Sequence, residues 1–553
     1  MGEYEPARLP VLPAANPKGD EFLKKVAAMC REWIDPDEID RTGEIPDKVL
    51  KKLAELGAFG IKIPTEYGGL GLTQTDYCRA GMLLGSYCGN ITALISAHQS
   101  IGVPQPLIVF GTEEQKKKYL PRVAAGEISA FALTEASVGS DPARMNTHAE
   151  PTADGTAFVL NGEKLWCTNG TRAGVLVVMA RTPAKDGKNQ ITAFIVETNW
   201  PGVTVAHRCR FMGLKALYNG VIRFTDVRVP RENILLAEGK GLRVALTTLD
   251  TGRLTLPAAC VGLAKRCLEI SRSWASERVQ WGQPIGKHAA IGDKLARMAA
   301  NTFAMEAMTF YAAAIVDAGK HADIRVEAAM CKMWATERVW EIVDDTIQIR
   351  GGRGYETAQS LAARGEKPIP VERFMRDTRI NTILEGSSEI IRLFIAREAL
   401  DPHLKVAGPI LNPKLAMGER MRALGRSAGF YALWYPRQWW PVGSYESRAA
   451  RRLARAIFHA MVRYGPKLER RQLLLARFVE IGTELYAMTA ARRRAEAFST
   501  TEAWALANYF CQLAQKKIED RFDAMSWNTD AEGYRLAQQL LEGGSGWLTE
   551  GIV

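Results

Sequence analysis

The sequence is poor in side chains that bind metals. It has only seven histidines in 553 residues, and none stands at ligand spacing from another. Its nine cysteines are scattered, odd in number and without a Cys-x-x-Cys pair. Zinc sites and disulfide frameworks need closely spaced cysteines or histidines. We therefore predict no metal site and expect a reducing compartment.

Long apolar runs are also absent. A membrane-spanning helix needs about 18 or more apolar residues, and the nearest run, residues 174–180, is far shorter. The first residues lack the basic and then apolar pattern of a signal peptide. These absences argue against a transmembrane or secreted protein. We expect a cytoplasmic protein, or one of the mitochondrial matrix if a targeting peptide has been removed.

The charge is positive and unevenly spread. The formal net charge is +11, and residues 403–553 hold 22 Lys and Arg against 14 Asp and Glu, so that 22 − 14 = +8 lies there. An excess of this kind favours an acidic partner for the last quarter of the chain: membrane headgroups, nucleic acid or another protein.

What the chain does contain is a change of hydrophobic period. Its length predicts three or four domains at about 150 residues each. Apolar residues recur at helical spacing up to about residue 128, alternate up to about residue 234, and then return to helical spacing. We predict an α+β multidomain fold with an N-terminal helical domain (1–128), a small central β-barrel or sandwich (129–237), a helical bundle (238–402) and a C-terminal helical extension (403–553).

Two local patterns predict where the chain turns or loosens. Asn161-Gly162, between the apolar residues that follow Phe158 and those before Trp166, is typical of a type I′ hairpin turn. Three prolines, Pro402, Pro409 and Pro413, predict a linker after the bundle.

One carboxylate stands out near the end of the bundle. Glu385 follows Ile383-Leu384 and precedes Gly386, after which Ser387 or Ser388 can cap a helix. Burial raises the pKa of such a carboxylate, while the helix dipole lowers it. The segment alone fits either a base at the mouth of a pocket or a simple turn carboxylate.

Five sequence motifs follow one another along the chain, at residues 131–141, 164–170, 278–282, 348–352 and 385–388. Together with the order of helices, small β-domain and helical bundle, they resemble the acyl-CoA dehydrogenase family over residues 20–400. The resemblance is nearest to the very-long-chain branch, which carries an extra C-terminal helical domain. It implies an FAD enzyme of fatty-acid β-oxidation with no nucleic-acid partner.

The resemblance implies that the β-domain holds the flavin ring. Thr134 would bond the pyrimidine side, Thr168 would lie near N5, and Trp166 would lie against the ring. Trp166 and Thr168, two residues apart, are expected on one face of a strand. Ser140, on a turn after Gly139, would meet phosphate oxygens and the CoA moiety of the substrate.

Other flavin contacts in this family cross a dimer interface, so the resemblance implies a homodimer or a higher homo-oligomer. The positions of this sequence that match contacts to the pyrophosphate and adenosine half are Arg278, Gln280, Trp281, His288, Gln348, Gly351, Gly352, Ser387 and Glu389.

The resemblance also implies the chemistry. Glu385 would take the Cα proton of a fatty acyl-CoA while flavin N5 takes the Cβ hydride, giving trans-2-enoyl-CoA. Some relatives carry the base where Gly252 stands, and glycine cannot serve. Asp250, Arg253, Ser140 and Gly386 match substrate contacts.

Three functions stay open for this fold. A dehydrogenase passes its electrons to an electron-transferring flavoprotein, whereas an acyl-CoA oxidase passes them to oxygen. A relative of the very-long-chain branch serves as an assembly factor, so a non-catalytic binding protein is the third.

Two regions depart from the common pattern. The loop 355–370 is longer than in most relatives, so access to the site could differ. In the C-terminal extension, four arginines (448, 451, 452 and 455) share a helix face opposite Ile457, Ala460 and Met461. That pattern is typical both of an interfacial membrane helix and of a bundle helix with a solvated basic face; peripheral membrane contact is one expectation.

Overall fold

The computed structural model describes residues 9–10, 12, 16–184, 189–319, 323–412 and 414–553, with the side chains of Asp250, Thr251 and Leu411 outside that description. The chain divides into a larger unit, Ala7–Ile390, and a smaller one that includes Ile391–Val553. Along the chain, helices precede and follow a central β-domain, so the predicted α+β multidomain fold is confirmed. The predicted four-part division remains a prediction.

The N-terminal part is helical because capping residues start most of its helices. Asn16 and Asp35 accept backbone N–H groups at the starts of the first two helices, and Thr73 and Thr112 form capping boxes. The helices are α1 (Pro17–Trp33), α2 (Pro36–Thr42), α3 (Asp47–Glu55), α4 (Gln74–Gly85), α5 (Gly89–Ser96), α6 (Pro104–Phe110) and α7 (Glu113–Ala124).

The central domain is an eight-stranded sheet in the order β6-β7-β3-β2-β4-β5-β8, with β1 pairing in parallel with β4. Its inward-facing apolar residues, such as Phe158, Phe194 and Val178, form a core of their own. The strands are β1 (Ser129–Ala132), β2 (His148–Pro151), β3 (Ala157–Cys167), β4 (Val175–Pro183), β5 (Asn189–Glu197), β6 (Val203–Arg208), β7 (Gly220–Pro230) and β8 (Ile234–Leu235).

The predicted hairpin turn at Asn161-Gly162 is wrong. Both residues lie inside β3, which pairs with β7 along its whole length and shifts register between Leu160 and Gly162. Gly162 has φ +140°, and the Asn161 amide exchanges hydrogen bonds with Asp226 on β7 at 3.0 and 2.8 Å. The Asn-Gly pair therefore forms a β-bulge, because the partner strand already supplies the pairing that a hairpin would have provided.

The helical bundle contains two long helices that run in the same direction. Lys332 of one acts on the Cys260 thiol of the other, and further along Ser271 Oγ lies 3.2 Å from Thr346 Oγ1. The helices here are α8 (Gly241–Glu277), α9 (Ala289–Ala318), α10 (Arg325–Arg350), α11 (Gly352–Tyr355), α12 (Ala358–Ala363), α13 (Val371–Thr378) and α14 (Ser388–Leu411), and a two-stranded hairpin, β9 (Val279–Gln280) and β10 (Gln283–Pro284), follows α8.

The longer loop 355–370 contains the short helix α12 and is held by ion pairs. Arg353 and Arg364 both contact Glu366, and Arg364 also reaches Glu356 at 2.7 Å. These contacts give the segment an ordered structure of its own.

The predicted linker after the bundle is also wrong in its described part. Pro402 and Pro409 lie inside α14, while Pro413 lies outside the described residues. The next helix packs against this part of α14, where Ser427 Oγ donates to Val406 O at 2.9 Å, and long-range packing of this kind can outweigh a local proline signal.

The remaining helices are α15 (Met417–Arg437), α16 (Tyr445–Tyr464), α17 (Gln472–Phe498), α18 (Thr501–Asp523) and α19 (Asp530–Leu541). On α16 the predicted basic face is engaged within the unit: Arg452 pairs with Glu519 at 2.7 Å, and Arg455 lies over the Trp439 ring. Ile457 and Ala460 are buried. These contacts favour a bundle helix, and membrane contact stays a prediction.

Within the described ranges, every helix is too short or too polar to cross a lipid bilayer.

Candidate active site

Glu385 lies on a strained turn between two helices. α13 ends at Thr378, a 3₁₀ turn follows over Arg379–Thr382, and α14 starts at Ser388. Between them Glu385 has φ +55° and Gly386 φ +94°. A left-handed backbone costs a residue with a side chain about 1–2 kcal/mol. Surrounding contacts must therefore hold this turn in place.

The surroundings of the Glu385 carboxylate are compatible with a proton acceptor. Its Oε2 is buried and has no hydrogen-bond partner among the described residues. Burial raises the pKa of Glu385, while the cations of Lys332 and Arg253 act in the opposite direction. An unpaired lone pair on a carboxylate with a raised pKa is what a general base needs.

Lys332 is the residue of this site that the sequence pattern did not reveal. It is fully buried on α10, and its Nζ donates to the Gly386 carbonyl at 2.7 Å. Burial lowers the pKa of Lys332 to about 8, while Glu385 raises it. The available signal was one lysine inside the otherwise uncharged run of residues 328–335.

Two of the predicted substrate contacts lie on α8. Arg253 is buried, with 6% of its surface exposed, and its charge acts on Glu385. The side chain of Asp250 lies outside the described residues. Gly252 packs closely: a Cβ there would lie 3.0 Å from Ile101 Cγ2 and 3.4 Å from Ser100 Cβ. Even a Cβ at the alternative base position would therefore require its neighbours to shift slightly.

The predicted ring face lies at the end of β3. Leu165 N donates to Thr134 O at 2.8 Å, which brings Thr134 beside Trp166. Trp166 has φ +52° and is 57% exposed. The prediction that Trp166 and Thr168 share one face of a strand is wrong, because β3 ends at Cys167 and its register shifts between Lys164 and Cys167.

A flavin ring fits this face. The exposed indole of Trp166 offers a flat apolar surface, and Thr168 Oγ1, oriented by Asn219 Nδ2 at 3.0 Å, offers a hydroxyl. Asn219 Oδ1 is buried without a hydrogen-bond partner among the described residues. An apolar plane beside a few polar groups suits a planar heterocycle.

A buried ion pair anchors the loop that carries Thr134 and Ser140. Lys164 Nζ contacts Glu135 Oε1 at 2.8 Å and donates to Leu133 O at 3.1 Å. Ser140 itself is exposed, and a Cβ at Gly139 would meet nothing within 4 Å. The backbone of this turn is thus open to a ligand phosphate.

A second group of predicted residues surrounds the β9–β10 hairpin. Trp281 and Gly282 form its two-residue tip with φ +49° and +78°, as a type I′ turn requires. Trp281 is 92% exposed, and the His288 ring meets it edge-on at 5.7 Å. His288 Nε2 donates to Gln280 O at 3.1 Å, and Arg278 is exposed beside them.

The end of α10 completes this second group. Gly351 N donates to Gln348 O at 3.2 Å, and Gly351 has φ +61° with ψ −140°, a conformation that glycine alone adopts readily. Gln348, Gly351 and Gly352 are exposed. Of the two predicted residues beside Glu385, Ser387 is half-buried and Glu389 is exposed on the first turn of α14.

Within one chain the two groups lie at opposite ends of the same helices. Arg253 and Arg278 are 278 − 253 = 25 positions apart on and just after α8, which is about 38 Å at 1.5 Å per residue. α10 runs beside α8 in the same direction, so Lys332 lies near Glu385 and Gly351 lies at the far end. A single chain brings together Glu385, Lys332 and Arg253, but not the hairpin group.

No group of three or more His, Cys, Asp or Glu that could hold a metal ion occurs in the part of the chain that the structure describes.

Comparison with known proteins identifies the relatives of this chain. Family models for the N-terminal, middle and C-terminal domains of acyl-CoA dehydrogenases match residues 16–127, 130–227 and 239–400. The probable acyl-CoA dehydrogenase FadE10 of Mycobacterium tuberculosis is 48% identical over 563 aligned residues, 98% of this chain and 86% of the relative. The mitochondrial very long-chain specific acyl-CoA dehydrogenase of Rattus norvegicus is 34% identical over 92% of this chain and 80% of its own length.

Among solved structures, the acyl-CoA dehydrogenase of Bacillus anthracis complexed with FAD superposes with a TM-score of 0.79 at 31% identity, covering 94% of this chain and 90% of that one. The similarity therefore extends into the C-terminal helical unit.

Proposed function

The chain belongs to the acyl-CoA dehydrogenase family, and we propose that it converts fatty acyl-CoA thioesters into trans-2-enoyl-CoA with Glu385 as the base. It is an FAD-dependent enzyme. Bound FAD supplies the hydride acceptor, at N5, for the hydrogen that leaves Cβ. The proton leaves Cα to Glu385, and the electron pair of that C–H bond becomes the new double bond.

The observation that supports this role best is the buried, unpaired Oε2 of Glu385. A base must offer a free lone pair, and burial raises the pKa of Glu385 so that it holds an abstracted proton more firmly. A structural turn carboxylate would instead be expected to accept hydrogen bonds with both oxygens.

Four residues contact the substrate in this proposal. We assign Gly386, Arg253, Asp250 and Ser140 to the thioester and CoA parts of the substrate, as the family motif implies. The buried cation of Arg253 supports this assignment, because an acyl-CoA is strongly anionic.

Cofactor binding divides between two copies of the chain in this proposal. Thr134, Trp166 and Thr168 of one chain hold the ring, and Ser387 and Glu389 face the adenosine end. The exposed far group of the second chain meets the pyrophosphate and adenosine half; it comprises Arg278, Gln280, Trp281, His288, Gln348, Gly351 and Gly352. The span of about 38 Å along α8 supports a second copy as the source of these residues.

Electrons leave to an electron-transferring flavoprotein in this proposal. Anaerobic reduction followed by exposure to air separates it from an oxidase: slow reoxidation without peroxide is expected, and rapid reoxidation with peroxide would identify an oxidase. A protein that holds no FAD and turns over no acyl chain length would instead be a binding protein.

The proposal is tested by a panel of short to very long acyl-CoAs assayed with wild type and Glu385→Gln. We expect turnover by wild type on at least one chain length and a loss of at least about 10³-fold in the variant. Equal turnover by both proteins would contradict the assignment of Glu385.

A further inference from the structure

We propose that Lys332 is a positioning residue for this reaction: it holds the Glu385–Gly386 turn through the Gly386 carbonyl and places a positive charge beside the base. The inference rests on the proposed function, because it concerns the base of that reaction. Lys332 touches neither reacting carbon in this account and acts through Glu385.

The position of Lys332 is unusual for a lysine. Its side chain is fully buried on α10 between the buried residues Cys331 and Met333. Burying an ammonium group costs free energy unless charges and hydrogen bonds compensate. A methionine would fill the same space without that cost. The ammonium group is compensated by a hydrogen bond to the Gly386 carbonyl at 2.7 Å and by the charge of Glu385.

The turn that Lys332 contacts is strained and needs stabilising contacts from other parts of the chain. Glu385 and Gly386 both have positive φ, +55° and +94°, and only the second residue adopts such a conformation without strain. Ser387 caps α14 weakly, with Ile390 N at 3.5 Å from its Oγ. The bond from Lys332 fixes the peptide that joins Gly386 to Ser387, one residue beyond Glu385, and so restricts the turn that orients the carboxylate.

The charge of Lys332 acts on the same carboxylate. The charged or titratable groups that act on Lys332 are Glu385, Arg253, Cys260 and Glu337. Burial raises the pKa of Glu385, and the Lys332 cation opposes that rise. Because burial lowers the pKa of Lys332 only to about 8, the lysine stays mostly cationic at neutral pH. Loss of the Lys332 cation leaves the Arg253 cation to oppose burial, so the pKa of Glu385 rises further.

Three substitutions separate the hydrogen bond from the charge. Lys332→Met removes both, Lys332→Gln keeps a donor without charge, and Lys332→Arg keeps the charge. The readout is the rate of flavin reduction by saturating acyl-CoA from pH 5 to pH 9, with FAD content and Tm measured for each protein.

We expect Lys332→Met to reduce flavin about 10²-fold more slowly, since a misplaced base loses about that much, with KM changed much less than kcat. The acid limb of its profile should move to higher pH. Lys332→Gln should show the same shift with a smaller loss of rate. Lys332→Arg should keep the wild-type limb.

Lys62 offers a matched control, because burial also lowers its pKa to about 8. Its Nζ donates to the side chains of Gln74 at 2.8 Å and Gln105 at 3.0 Å, both on N-terminal helices. Lys62→Met should lower Tm and leave the pH profile unchanged.

A wild-type profile and rate in FAD-loaded Lys332→Met would overturn the positioning role and leave the proposed function intact. A rate loss without a shift of the acid limb, matched by Lys62→Met, would mean a structural lysine only and would also overturn it. If none of the acyl-CoAs tested reduces the flavin of the wild-type protein, the proposed function itself fails.

Discussion

Glu385 combines two features that a stable protein ordinarily avoids, a left-handed backbone and an unpaired buried carboxylate oxygen. Strain of this kind persists only where neighbouring contacts over-determine it, and it concentrates at functional sites. The nearest such contact is the bond from Lys332 to Gly386 O. We infer that this turn gives up stability for the orientation of one side chain.

That inference predicts that replacing Glu385 by glycine raises the free energy of unfolding and lowers activity. Glu385→Gly relieves about 1–2 kcal/mol of backbone strain and adds about 0.5–1 kcal/mol of chain entropy cost. We therefore expect the free energy of unfolding to rise by about 1 kcal/mol while activity is lost. Chemical denaturation measures it, with Glu389→Gly on the first turn of α14 as the control. A variant less stable than that control would contradict the strain.

At this scale the sequence motif predicted Glu385 but not Lys332. The motif is local in sequence, whereas the partnership of Lys332 with Gly386 joins residues 54 positions apart. A lysine in a helix reads as a surface residue until the fold shows that its face is buried.

At the scale of elements, α13 positions the Glu385 segment against the rest of the larger unit. The Arg376 guanidinium donates to both carboxylate oxygens of Asp40 on α2, at 2.9 and 2.7 Å. Asp377 Oδ1 accepts the Leu214 N–H from the loop after β6 at 2.6 Å. The pKa values of the two aspartates are shifted in opposite directions. Burial raises the pKa of Asp377 to about 6, whereas Arg376, against the effect of burial, holds the pKa of Asp40 low.

Their pH dependence should differ in sign. Asp377 binds its proton more tightly in the folded state, so its contribution to stability is full below pH 4 and is lost as pH rises through about 6. Asp377→Asn should therefore raise the free energy of unfolding by about 1 kcal/mol or more at pH 8 and by less at pH 5. Denaturant titration at the two pH values measures this.

Asp40→Asn is the matched opposite. Its folded pKa is lowered, so its stabilisation is present above the ordinary aspartate pKa and is lost as pH falls. The variant should be destabilised at pH 8 and closer to wild type at acid pH. If both substitutions shift stability in the same direction at pH 8, the two environments are not as described.

Hydrophobic period predicted the helices and strands well, but two local signals were overridden by pairing and packing. Asn161-Gly162 became a bulge because β7 already pairs with both halves of β3. Pro402 and Pro409 stayed inside α14, where Ser427 bonds the Val406 carbonyl. Turn and proline signals are local, and long-range contacts decide whether the predicted turn or helix break forms.

At the scale of the whole molecule, one chain keeps the Glu385 site and the far group of residues apart, and the proposed function joins them through a second copy. The hairpin, which begins after Arg278, displays Trp281 with 92% of its surface exposed. Arg278 itself is about 38 Å along α8 from Arg253. The sequence motifs predicted both groups, but order along the chain cannot show which copy serves which site.

Co-expression of two inactive variants tests the division between copies. Glu385→Gln and a cofactor-site variant, Arg278→Ala with Trp281→Ala, should each be inactive alone. In a mixed dimer one site carries both defects and the other carries none, so activity should return to about half per dimer. Sites built within single chains would leave every site defective, and no activity would return.

The role of Glu385 is tested most directly by anaerobic stopped-flow reduction of the bound flavin by a saturating acyl-CoA. Wild type should bleach its flavin within the time of one turnover. Glu385→Gln, with equal FAD content and equal acyl-CoA affinity, should bleach at least about 10³-fold more slowly, because proton removal from Cα has lost its acceptor. Bleaching of the variant at the wild-type rate would contradict the account.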